Sequence, residues 1–153
     1  IKYYQRSIEI NPNFSEAYNN LGNVFKELEQ PNEAIDAYKN AIKINPDFPV
    51  LHNNLGNVLK DLGQFDEAIK SYNEAIKYNP DYPDSLNNIG VIYNELGQFD
   101  EAIKSYDRAI AIKSDFADAH NNLGVSYNKL NLYDKAIKSY ERAITLKPDF
   151  PDP

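Results

Sequence analysis

Apolar side chains fall at three- and four-residue intervals along most of this chain. Ala17, Tyr18, Leu21, Val24, Phe25 and Leu28 share one side of a 3.6-residue helix. Glu29-Gln30-Pro31 interrupts that stripe, and a second one follows. The second reads most clearly as Ala68, Ile69, Tyr72, Ala75 and Ile76, again at helical spacing. Gly63 and Gly97 stand in the break between stripes and predict a left-handed residue just past the first helix. Asn32, Asp66, Asp100 and Asp134 open the second stripe as N-cap or first-turn residues. Pro46, Pro80 and Pro148 end it. Pro49 and Pro83 suit the first turn of the next helix, where a missing N–H is harmless. Asp66/Lys70, Asp100/Lys104 and Asp134/Lys138 are expected to pair across one turn, each worth ~0.3–0.5 kcal/mol.

The two-stripe pattern returns every 34 residues. Asn19-Asn20-Leu21-Gly22 recurs as Asn53-Asn54-Leu55-Gly56, Asn87-Asn88-Ile89-Gly90 and Asn121-Asn122-Leu123-Gly124. The stretch from Leu62 to Tyr72 reappears unchanged from Leu96 to Tyr106. A period of this size marks one helix-turn-helix unit copied and stacked. Asparagine–proline–aspartate–aromatic punctuation sets the units at 15–48, 49–82, 83–116 and 117–150. Residues 1–14 match the second half of an earlier unit, and 151–153 begin a further one. That register, and the lack of any methionine, lead us to expect a piece of a longer protein.

Gly22, Gly56, Gly90 and Gly124 fall mid-helix, where glycine costs about 1 kcal/mol against alanine. Close approach of the paired helix is the expected compensation. Ala34, Ala68, Ala102 and Ala136, with Ala41, Ala75, Ala109 and Ala143, are the expected facing residues. Phe25, Leu59, Tyr93 and Tyr127 would fill the space between. Phe14, Phe48, Tyr82, Phe116 and Phe150 close each unit and are expected to staple the next helix onto the stack. The 12 tyrosines read as packing residues.

The motif aromatic/His–x2–Leu–Gly–x2–aromatic, then Ala–x3–Tyr–x2–Ala–x4–Pro, resembles the tetratricopeptide repeat, or TPR. The resemblance covers essentially the whole chain. It departs at Ser114 for the terminal proline, at Glu29 and Asn131 for the turn glycine, and at His52, Leu86 and His120 for a frequent tryptophan. It implies an all-α, right-handed superhelical solenoid of helical hairpins with a concave groove. It also implies protein–protein interaction rather than catalysis.

Charge and composition narrow this further. A net charge of −7 argues against nucleic acid, whose phosphates need a basic face. Apolar runs are too short to cross a membrane, and Lys2, Arg6 and Glu9 leave no signal-peptide core near the start. With no cysteine, disulfides and thiolate chemistry are excluded, which fits a reducing, cytoplasmic setting. His52 and His120 stand two units apart, roughly 20 Å at ~10 Å per helix layer, too far to share a metal. Asp66-Glu67 repeats at helix starts, where dipole complementarity explains it better than acid–base chemistry. No cofactor, metal or catalytic group is expected.

The candidate binding residues come from what the apolar stripes leave over. On the first helix of each unit the resemblance implies that positions 2, 5, 6, 9, 12 and 13 line the groove. Positions 5 and 6 are asparagine throughout: Asn19 and Asn20, Asn53 and Asn54, Asn87 and Asn88, Asn121 and Asn122. Asn23 and Asn57 extend the set at position 9, and Lys26, Lys60, Asn94 and Asn128 at position 12. Asparagine is a mediocre helix former, so its recurrence on helices needs a reason. A carboxamide both donates and accepts, and one per unit can hold an extended peptide by its backbone. The chain resembles the TPR arms of the O-linked N-acetylglucosamine transferases, which implies such a ladder at Asn20, Asn54, Asn88 and Asn122. The alternative is plain solvation in a chain rich in asparagine, as at Asn40, Asn73 and Asn79. Glu16, Val50, Asp84 and Asp118 at position 2 argue against a clamp for carboxylate tails, which needs cationic donors. The expected partner is a protein segment in extended conformation. Two further roles stay open: a substrate-recognition arm of a larger enzyme, such as a peptide glycosyltransferase, and a self-assembling scaffold. For the latter, Ile137, Tyr140 and Ile144 on the last helix suggest end-to-end association.

Overall fold

The computed structural model describes residues 1–148. Among them are nine α-helices and no strand: α1 Lys2–Ile10, α2 Ser15–Glu27, α3 Pro31–Ile44, α4 Pro49–Asp61, α5 Phe65–Tyr78, α6 Pro83–Glu95, α7 Phe99–Ile112, α8 Ala117–Lys129 and α9 Tyr133–Leu146. The chain forms two compact units that divide after Pro80. In the first, α2/α3 and α4/α5 are hairpins, α3 packs on α4, and α1 packs on α2. In the second, α6/α7 and α8/α9 are hairpins and α7 packs on α8. Phe150 and residues 151–153 lie outside the described residues.

Each hairpin turns by the same device. The amide of Glu29 donates to the Lys26 carbonyl at 3.1 Å and that of Gln30 to Phe25 at 2.9 Å. Gly63 and Gln64 repeat this onto Lys60 and Leu59 at 2.8 and 2.9 Å. Gly97 with Gln98, and Asn131 with Leu132, do the same. These paired bonds satisfy the last free carbonyls of the first helix and require a left-handed residue between. Gly63 and Gly97 both sit at φ 71°, as their place in the pattern predicts. Glu29 at 56° and Asn131 at 58° take the same conformation with a side chain attached.

The mid-helix glycines are where the helices come closest, but the facing group differs from the expected alanines. A Cβ on Gly56 would sit 2.6 Å from Cε1 of Tyr72, and one on Gly22 would sit 2.6 Å from Cε1 of Tyr38. Gly90 meets Tyr106 and Gly124 meets Tyr140 in the same way. Ala34, Ala68, Ala102 and Ala136 are buried, yet the tyrosine ring is what occupies the space at the glycine. Tyr38, Tyr72 and Tyr106 are among the largest fully buried side chains.

One local expectation narrows and three change. The second helices have Gln30, Gln64, Gln98 and Leu132 at the N-cap with no side-chain cap bond. Asp66, Asp100 and Asp134 therefore act within the first turn, through the helix dipole. Lys104 reaches Glu101 at 2.7 Å, three residues back, rather than Asp100. The closing aromatics are not uniform staples: Phe116 is buried, whereas Phe14 is 40% and Phe48 47% exposed. Tyr3 and Tyr133 are also exposed, so packing does not account for every tyrosine.

Candidate functional site

The asparagine face is part of the packing as well as of the surface. Asn20, Asn54, Asn88 and Asn122 are all half-buried, as are Asn19 and Asn121, while Asn53 and Asn87 are buried. In the first unit Nδ2 of Asn54 donates to Oδ1 of Asn19 at 3.0 Å. In the second, Nδ2 of Asn122 donates to Oδ1 of Asn87 at 3.1 Å. Each bond joins position 6 of one repeat to position 5 of the repeat before it. It ties α2 to α4, or α6 to α8, and fixes which way the donating carboxamide faces. Asn20 makes no such bond among the described residues, so both halves of its carboxamide remain available.

The residues at positions 9 and 12 have partners inside the fold. Oδ1 of Asn23 accepts from the Tyr38 hydroxyl at 2.7 Å, and Oδ1 of Asn57 from the Tyr72 hydroxyl at 2.9 Å. Nδ2 of Asn94 donates to the Tyr106 hydroxyl at 3.1 Å, and its Oδ1 accepts from Ser126 Oγ at 2.8 Å. The same tyrosines that press on the glycines thus end on these asparagines. Burial, with a smaller push from Glu27, raises Tyr38 to about 12. Burial also raises Tyr72 and Tyr106, and Asn94 opposes the rise at Tyr106. All three stay neutral and able to donate at physiological pH. The sequence held a signal for this link, because tyrosine follows position 9 at a constant spacing of 15 residues.

Lys26 and Lys60 both approach Asp61, at 3.7 and 3.6 Å. These exposed pairs are worth ~1 kcal/mol or less. Asn128 is exposed on α8. His52 is buried, donates through Nε2 to the Pro46 carbonyl at 2.6 Å, and stacks on Tyr78 at 5.6 Å between centroids. His120 faces the Ser114 carbonyl in the same way at 3.1 Å. Both imidazoles therefore close the junction before the first helix of their repeat.

In the first unit, Phe14, Glu16, Asn19, Asn20, Phe48 and Leu51 line a cleft of about 550 Å³. Apolar walls, three carboxamides (Asn19, Asn20 and Asn45) and one carboxylate meet there. This arrangement can bond a peptide group while receiving a side chain. Among the described residues no group of three or more His, Asp or Glu is placed to hold a metal ion. No helix among them is long and apolar enough to cross a membrane.

Helical hairpins of constant length, a glycine–tyrosine lock in each and a left-handed turn in each define an all-α helical-repeat protein. Models of the TPR repeat match residues 3–36, 22–63, 56–95, 90–131 and 117–150, and the chain belongs to the tetratricopeptide repeat family. A search among curated proteins finds no match. The fold is similar to the crystal structure of MamA, at 27% identity and a TM-score of 0.85, over 95% of this chain and 85% of that one. It is also similar to YrrB, described as a TPR protein with an unusual peptide-binding site, at 27% identity and a TM-score of 0.76. That match covers 97% of this chain and 76% of YrrB.

Proposed function

We propose that this chain is a protein-interaction module that holds an extended segment of a partner protein. Asn20, Asn54, Asn88 and Asn122 bond the backbone of that segment, two of them in each unit. The observation that carries this reading is the carboxamide of Asn20, half-exposed at a cleft and without a hydrogen-bond partner among the described residues. The repeat supplies an asparagine at the same position three more times. Solvation alone accounts poorly for that recurrence, because Asn54 and Asn122 are held in fixed orientation by Asn19 and Asn87. A peptide group presents one donor and one acceptor, and an oriented carboxamide complements both. The similarity to YrrB, a peptide-binding TPR protein by its description, agrees with this reading.

The test uses peptides selected from a displayed random library on the purified chain. Replacing all four asparagines by alanine is expected to weaken such peptides at least tenfold, or ~1.4 kcal/mol, while circular dichroism stays helical. Asn20→Ala is the cleaner arm, since it breaks no side-chain bond among the described residues. It should weaken binding without moving the melting temperature. Unchanged affinity in both variants removes the ladder from the function.

A further inference from the structure

We infer that the cleft of the first unit is a side-chain subsite that selects an apolar residue adjacent to a lysine or arginine in the bound segment. This inference rests on the peptide-holding reading above and adds a preference to it. Three features converge in the cleft. Phe14 and Phe48, equivalent residues one repeat apart, are 40% and 47% exposed, and both line it. Rings of that size are normally covered, and a large apolar side chain gains most by lying against them. Leu51, 1% exposed, also lines the cleft and adds to its apolar wall. A cleft of about 550 Å³ has room for one large side chain and the peptide groups on either side of it.

The polar edge sets the charge of the neighbour. Glu16 lines the cleft and has no cation paired with it among the described residues. The chain carries a net charge of −7, so its field adds to the local carboxylate. An acidic segment is repelled, and a lysine or arginine beside the apolar residue places its cation at Glu16. Asn20 can then bond the intervening peptide group, and Asn19, its oxygen already engaged by Asn54, still offers N–H. Backbone grip, apolar anchor and cation therefore meet around one cleft.

Selection of displayed random dodecapeptides on the purified chain tests this. The expected result is enrichment of a Phe, Tyr, Leu or Ile next to Lys or Arg. For a selected peptide, the Phe14→Ala/Phe48→Ala variant should bind about tenfold more weakly. The same peptide with alanine at its anchor should then bind wild type and variant alike. Glu16→Lys reverses an exposed charge in the first turn of α2, and it should remove the basic preference and favour the Lys→Glu form of the peptide. Peptides that depend on Asn20 yet show no such motif, and are unaffected by Phe14, Phe48 and Glu16, overturn the subsite and leave the ladder standing. An acidic consensus overturns the subsite as well. Motif peptides that need the phenylalanines but not Asn20 uphold the subsite and count against the ladder.

Discussion

Gly56 shows how little room a single residue has in this fold. Alanine there gains about 1 kcal/mol of helix propensity, but its Cβ falls 2.6 Å from the Tyr72 ring. That ring is fully buried and its hydroxyl is bonded to Asn57, so it has nowhere to move. Overpacking of this kind costs about 1–3 kcal/mol, so Gly56→Ala is expected to lower stability in a denaturant titration. A rise would show that the ring yields. Glu29 offers the opposite change. Its φ of 56° strains a side-chain-bearing residue, and Glu29→Gly should raise stability by about 1 kcal/mol, read as a higher denaturation midpoint. The mid-helix glycines were legible as points of close approach, because glycine is otherwise wasteful in a helix. Which group approaches was not. Alanine and tyrosine both recur on the second helix, and only the rotation of that helix decides which one faces the glycine.

Between elements, the same asparagines serve two directions. The bond from Asn54 to Asn19 joins α4 to α2. A double-mutant cycle with alanine at both positions is expected to return about 0.5–1.5 kcal/mol of coupling, and zero coupling would mean water replaces the bond at no loss. The tyrosine links have a pH signature. Tyr38 is raised from 10.0 to about 12 in the fold, so the folded state holds that proton more tightly than the unfolded chain. The stability it contributes is complete below pH 10 and drains as pH rises from 10 toward 12. Alkaline denaturation should therefore set in above pH 10, and Tyr38→Phe should blunt it. A melting temperature equally pH-dependent in the variant would assign the effect to other groups. The turns between elements were readable from Gly63 and Gly97. The asparagine-to-tyrosine bonds were not, because period alone does not say that a surface position of one helix reaches a core ring of its partner.

Across the molecule, burial is spread unevenly, and so should stability be. In the first unit α4 has seven buried residues, from Leu51 to Leu59, whereas α1 has none. Short helices with few packed residues open at little cost. Hydrogen exchange should then be fastest in α1 and slowest in α4, and uniform protection across the unit would contradict that order. The family and the all-α repeat were legible throughout the chain because one pattern is written four times. The division after Pro80 was not, since no shift in composition marks it. The glycine–tyrosine lock carries one last consequence. A phenol ring packed against a helix at a glycine needs extra room to turn about its own axis, and that room comes when the hairpin opens. The rings of Tyr72 and Tyr106 thus act as escapements, each half-turn recording one opening of its hairpin. Their flip rates, read from exchange-broadened ring signals in nuclear magnetic resonance, would report the breathing of one hairpin in each unit separately.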